Sequence, residues 1–72
     1  MSSSILKKFA NKLIAIRKDR NLSQEDLALL CDIDRTYVGR IETLKRNPSL
    51  IILNKIAEGL GIKLSELLDF KD

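Results

Sequence analysis

Apolar residues recur at intervals of three and four along most of the chain, the period of one buried helix face. Leu6, Phe9, Leu13 and Ile16 set the first stripe and predict a helix from about Ser4 to Asp19. Arg20-Asn21 ends it, because Asn tolerates the left-handed conformation that closes many helices. A second helix starts at Ser23. Ser23-x-x-Asp26 fits a capping box, in which hydroxyl and carboxylate each satisfy a free amide donor. Leu27, Ala28 and Leu30 are expected to face inward, with Cys31 near the end and the small Ala28 admitting a close neighbour. Asp32-Ile33 reads as a turn and Asp34 as the N-cap of a third helix over Arg35 to Thr43. Val38 and Ile41 are its inward residues. Lys45-Arg46-Asn47-Pro48 is a loop, since proline disfavours helix at the residue before it. A fourth helix runs from near Ser49 to Gly59 or Leu60, with Gly61 as the stop. Leu50, Leu53, Ile56, Ala57 and Leu60 form its expected buried face, and Ile51 and Ile52 lie off it. A short fifth helix covers Leu64 to Phe70 and buries Leu64, Leu67 and Leu68. The expectation is an all-α, five-helix domain spanning residues 1–72.

Size and composition narrow the function classes. A chain of 72 residues with 44% apolar content suits one small core, marginal by surface-to-volume scaling. It leaves no room for a separate ligand-sensing domain. Histidine is absent and Cys31 is the one cysteine, which excludes His/Cys metal sites and an intrachain disulfide. Cys31 sits in the run LALLC and reads as a small buried hydrophobe. No apolar run approaches a membrane span, and MSSSILKK lacks the apolar stretch of a signal peptide. These features predict a cytoplasmic protein with no metal, no cofactor and no membrane contact.

The net charge of +3 is unevenly spread. Residues 1–20 carry six basic groups and one acid, and 34–55 carry five basic groups and two acids. Residues 21–33 and 56–72 are net acidic. Positive charge gathered in the first helix and from the third helix into the following loop suggests an anionic partner. Leu22 to Thr43 supplies the geometry: two short helices and a tight turn, the second carrying Arg35, Thr36, Tyr37 and Arg40. That is the layout of a helix-turn-helix, which sets its second helix into the major groove of DNA.

Arg35 is the first candidate for reading bases, because a guanidinium donates two parallel bonds to guanine O6 and N7. Thr36 offers a hydroxyl to a base or phosphate and a methyl to thymine; its alternative is a local backbone bond. Tyr37 is expected to face outward and pack on thymine methyls or bond a phosphate; its alternative is a partly buried ring bridging helices. Arg40 reaches a base, a phosphate or a surface ion pair. Ser23 and Gln24, opening the second helix, and Lys45, Arg46 and Asn47 in the loop are candidates for the DNA backbone.

LSQEDLALLCDIDRTYVGRIETLKRNPSL followed by LNKIAEGLGIKLSELL resembles the phage-repressor-like helix-turn-helix family of transcription regulators, over roughly Phe9 to Leu68. DRTYVGRIE with LKRN shortly after is similar to the controller proteins of restriction–modification systems. The resemblance implies a compact, lambda-repressor-like fold. It implies a homodimer that binds its own promoter on double-stranded DNA and times expression of the endonuclease. The lack of histidine, of an activated nucleophile arrangement, of a phosphate loop and of paired carboxylates in a recognisable cleft predicts no enzymatic activity. Activation would require contact with RNA polymerase. In the family the position of Gln24 contacts a phosphate and braces the third helix, and the positions of Arg17 and Glu42 form a salt bridge between the first and third helices.

Two departures from the family pattern matter. Asp32 stands where the turn usually has glycine, and Leu44 stands where glycine usually follows the third helix. Leucine in a left-handed conformation costs on the order of 1 kcal/mol, so either the helix ends differently or the loop carries strain. The surplus apolar residues Ile51, Ile52 and Phe70 are the expected dimer interface, with covering their own core edge as the alternative. Rival readings are a phage-type repressor, an antitoxin-type autoregulator, and a helical protein-interaction module without DNA binding.

Overall fold

The computed structural model describes residues 2–70, with side chains from residue 5 onward. It has five helices: α1 (Ser2–Asp19), α2 (Gln24–Cys31), α3 (Arg35–Glu42), α4 (Leu50–Leu60) and α5 (Leu64–Leu67). There is no strand among the described residues. All five helices feed one core, built from Phe9 and Leu13 of α1, Leu27, Ala28 and Cys31 of α2, and Val38 and Ile41 of α3. Ile56, Ala57 and Leu60 of α4 and Leu67 of α5 complete it. α2 packs on both α3 and α4, α1 on α3, and α5 on α4.

The first four helices end in the same way. A left-handed residue follows each: Asn21, Asp32 and Leu44 at φ of 58°, 57° and 64°, and Gly61 at 70°. After each, the next amide reaches back five residues: Leu22 to the Arg17 carbonyl, Ile33 to Ala28, Lys45 to Arg40 and Ile62 to Ala57, at 2.8–3.0 Å. These Schellman closures satisfy carbonyls the helix leaves open and reverse the chain within two residues. Three of the four use a residue other than glycine. Asn and Asp accept this conformation with little penalty, whereas leucine does not. Leu44 therefore carries backbone strain, and the helix ends where the family pattern ends it.

The starts are capped as directly. Ser23 Oγ accepts from the Asp26 amide at 3.0 Å while Asp26 Oδ2 accepts from the Ser23 amide at 2.9 Å. Asp34 Oδ1 accepts from the Thr36 amide at 2.9 Å and Ser49 Oγ from the Ile52 amide at 3.2 Å. The Ser23 backbone amide, contributing most, and the Ser23 hydroxyl hold the Asp26 carboxylate below its ordinary pKa.

Gly59 fixes the α2–α4 approach. A Cβ built there would lie 2.7 Å from Cys31 Sγ and 2.8 Å from the Leu30 carbonyl oxygen. Two of its three nearest neighbours are backbone atoms, which cannot swing aside in a close-packed interior. Arg20 Nη1 donates to the Leu60 carbonyl at 2.8 Å and ties the end of α1 to the end of α4.

Several apolar positions differ from expectation. Leu30 is 48% exposed rather than buried, because α4 covers the arc of Leu27, Ala28 and Cys31 and leaves the flank open. Leu50 is 68% exposed; it stands about 10 Å along the axis from Ala57, beyond the core's end. The fifth helix stops at Leu67, so Leu68 leaves the buried arc and is 36% exposed. Ile52 and Phe70, expected at a dimer interface, pack partly buried against their own core.

Candidate nucleic-acid interface

α3 is held from behind by a polar clasp. Arg17 Nε donates to Glu42 Oε2 at 2.8 Å and Arg17 Nη2 to Glu42 Oε1 at 2.9 Å. Gln24 Nε2 adds a bond to Glu42 Oε1 at 3.0 Å, and Arg17 Nη1 donates to the Leu22 carbonyl at 3.0 Å. One largely buried carboxylate at the end of α3 is thus tied to α1 and to the first residue of α2. The bidentate bond raises the Arg17 pKa, with burial opposing it. Gln24 passes over α3 at Gly39, where an added Cβ would stand 3.6 Å from its Oε1. The Gln24 amide nitrogen is therefore engaged in bracing α3.

On the outer side the structure brings Arg35, Thr36 and Arg40 together on the exposed face of α3, opposite buried Val38 and Ile41. The side chains of Arg35 and Arg40 have no hydrogen-bond or ion-pair partner among the described residues. Ser23, at the start of α2, is exposed with its oxygen engaged in the cap. Lys45, Arg46 and Asn47 follow on the exposed loop, turned back by the Leu44 closure, where the Lys45 amide meets the Arg40 carbonyl at 2.8 Å.

Tyr37 is not fully outward. Its ring is half-buried on the flank of α3, packed against the core. One α-helical step from exposed Thr36 turns it about 100° toward Val38 and Ile41, which is the partly buried alternative of the sequence reading. Arg46 covers the ring, its Cζ 4.8 Å from the centroid.

The arrangement is a rigid short helix presenting cationic and hydroxyl donors, beside a second basic loop. No group of three or more His, Cys, Asp or Glu side chains gathers among the described residues. No helix there is long and apolar enough to cross a membrane.

A family model described as helix-turn-helix matches residues 13–67. The chain belongs to the helix-turn-helix family. It is 56% identical over 61 residues to control protein C.MunI from Mycoplasma sp, covering 83% of this chain and 82% of that one. Among solved structures it is similar to the restriction-modification controller protein C.AhdI from Aeromonas hydrophila. That match has a TM-score of 0.81 and 45% identity, over 86% of this chain and 94% of the other. It is also similar to the controller protein C.Esp1396I, solved as a tetramer in complex with its natural 35 base-pair operator. There the TM-score is 0.79 and the identity 34%, over 89% of this chain and 88% of the other. Within this helix-turn-helix fold α2 and α3 are the paired helices, and the Arg17–Glu42–Gln24 clasp sets the angle at which α3 is presented.

Sequence reasoning missed Gly59, Gly39 and Arg20. Gly59 passed as a helix-end residue, because a close approach of two helices leaves no local pattern. Arg20 was read only as part of the end of the first helix, since its carbonyl partner lies 40 residues away in sequence.

Proposed function

We propose that this chain is a sequence-specific DNA-binding transcription regulator of the restriction–modification controller type. The observation that carries this is the outer face of α3: Arg35, Thr36 and Arg40 exposed on a helix fixed from behind by a buried ion pair. Donors that are free and pre-positioned can meet base edges without ordering costs being added on binding. In this reading Arg35, Thr36, Arg40 and the exposed edge of Tyr37 meet bases. Ser23, Gln24, Lys45, Arg46 and Asn47 meet the sugar–phosphate backbone. The protein works in the cytoplasm as a binder and not as a catalyst, on an operator beside its own gene and the endonuclease gene. Activation from that site involves contact with RNA polymerase.

The chain acts as a homodimer on a pseudo-palindrome. One helix of eight residues reads too few base pairs to find a promoter among genomic competitors. Support comes from exposed apolar surface: Ile51 is 72% exposed beside Leu50. A groove of about 410 Å3 lies between Ile5, Leu6, Phe9, Pro48, Leu53, Leu68 and Phe70. Burying such side chains contributes about 1.5–3 kcal/mol each. The test is an anisotropy titration against the duplex immediately upstream of the gene, with a scrambled duplex of equal length beside it. Preference for the upstream duplex supports the reading; equal, salt-sensitive binding to both contradicts it.

A further inference from the structure

We infer that Arg46 is a positioning residue for base reading, acting through Tyr37, and not only a contact to the DNA backbone. This rests on the DNA-reading role assigned to α3. The guanidinium lies over the Tyr37 ring at 4.8 Å, inside the range at which a cation is attracted to an aromatic face. Arg46 is exposed and has no carboxylate partner among the described residues, so nothing else draws it there. Tyr37 also packs against the core, so the ring is in contact with both the core and the guanidinium.

The backbone that delivers Arg46 is the strained one. Leu44 at φ 64° and the Lys45-to-Arg40 bond of 2.8 Å turn the chain sharply after α3. A strained residue persists only where its surroundings over-determine it, and such residues cluster at binding sites. A guanidinium that meets a ring by its face keeps its in-plane N–H donors free. Arg46 can therefore donate to a phosphate while holding Tyr37 at the flank of the reading face. Backbone grip and ring orientation become one unit.

Arg46→Lys separates the two roles, because lysine keeps the charge and loses the planar stack. A stack of this kind is worth a factor of about two to five in an equilibrium constant. We expect Arg46→Lys to reduce the preference for the upstream duplex over the scrambled one by about that factor, with the salt slope unchanged. Arg46→Ala lowers the preference too and also reduces the slope of log K against log salt by about 0.9. In a Tyr37→Leu background the lysine substitution has no further effect on preference; in a Tyr37→Phe background, which keeps the ring, it does. In the free protein, the Arg46 δ-methylene protons are shifted upfield by the ring, and Tyr37→Leu abolishes the shift.

A selective wild type with an equally selective Arg46→Lys variant overturns the positioning role. So does a lysine effect of the same size in the Tyr37→Leu background, or an Arg46 resonance indifferent to that substitution. A wild type that treats both duplexes alike overturns the DNA-reading role itself, and the inference with it.

Discussion

At Glu42 one carboxylate accepts three hydrogen bonds, two from Arg17 and one from Gln24. Removing it strands a largely buried guanidinium, which costs about 3–5 kcal/mol. Glu42→Ala is therefore expected to lower thermal stability steeply and to reduce DNA affinity only through unfolding. An unchanged melting temperature would remove the clasp from the account. Leu44 gives the opposite sign. It sits at positive φ and is 40% exposed, so Leu44→Gly relieves strain at little loss of burial. The expected gain is up to about 1 kcal/mol, read as an upward shift in denaturant midpoint. A destabilised Leu44→Gly protein would show that the leucine side chain holds the loop more strongly than its backbone resists.

At the scale of the elements, the sequence period and cap residues were enough to place all five helices. Ser23, Asp34, Asn21 and Gly61 mark ends by local chemistry that needs no tertiary partner. Where the reading faltered, the deciding contact was remote. Leu30 and Leu50 share a stripe with buried neighbours, yet their exposure depends on where α4 crosses α2 and where the core stops. Tyr37 lies between the inner and outer arcs of α3, and only the loop returning with Arg46 shows how it is held. Glu42 and Arg17 were found through family resemblance, since neither residue signals its partner locally. Gly59 makes the helix crossing testable. Gly59→Ala forces a methyl against Cys31 and the Leu30 carbonyl, and such overpacking costs about 1–3 kcal/mol. A melting temperature equal to wild type would mean α2 and α4 are free to separate.

The cap of α2 also gives a pH dependence. The Asp26 carboxylate is held below the ordinary aspartate value of 3.8 by the Ser23 amide and hydroxyl. A depressed folded pKa stabilises the fold above the unfolded value and is lost as pH falls through the folded one. Wild type should thus exceed Asp26→Asn in stability at neutral pH, with the difference closing in acid below 3.8. A difference that stays constant from neutral to acid pH would refute the box as its source.

For the whole molecule, extents of 31 × 23 × 23 Å are compact against the spacing of half-sites, about 34–36 Å for one turn of DNA. Two copies can then occupy successive major grooves on one side of the duplex. Sedimentation at tens of micromolar (~) should give a dimer mass, weakened by Ile51→Glu, which buries a charge in the proposed interface. A monomer at every concentration would contradict it.

If α3 reads bases through Arg35 while the loop supplies grip, the two roles separate in binding to the upstream and scrambled duplexes at two salt concentrations, for wild type, Arg35→Ala and Lys45→Ala. Loss of a bidentate base contact costs about 1–3 kcal/mol of discrimination. Arg35→Ala should therefore bring the two duplexes toward equal affinity. Lys45→Ala should weaken both alike and flatten the salt slope by about 0.9. If Arg35→Ala instead lowers affinity equally on both duplexes and keeps the wild-type preference, Arg35 is not the reader and the account of α3 fails.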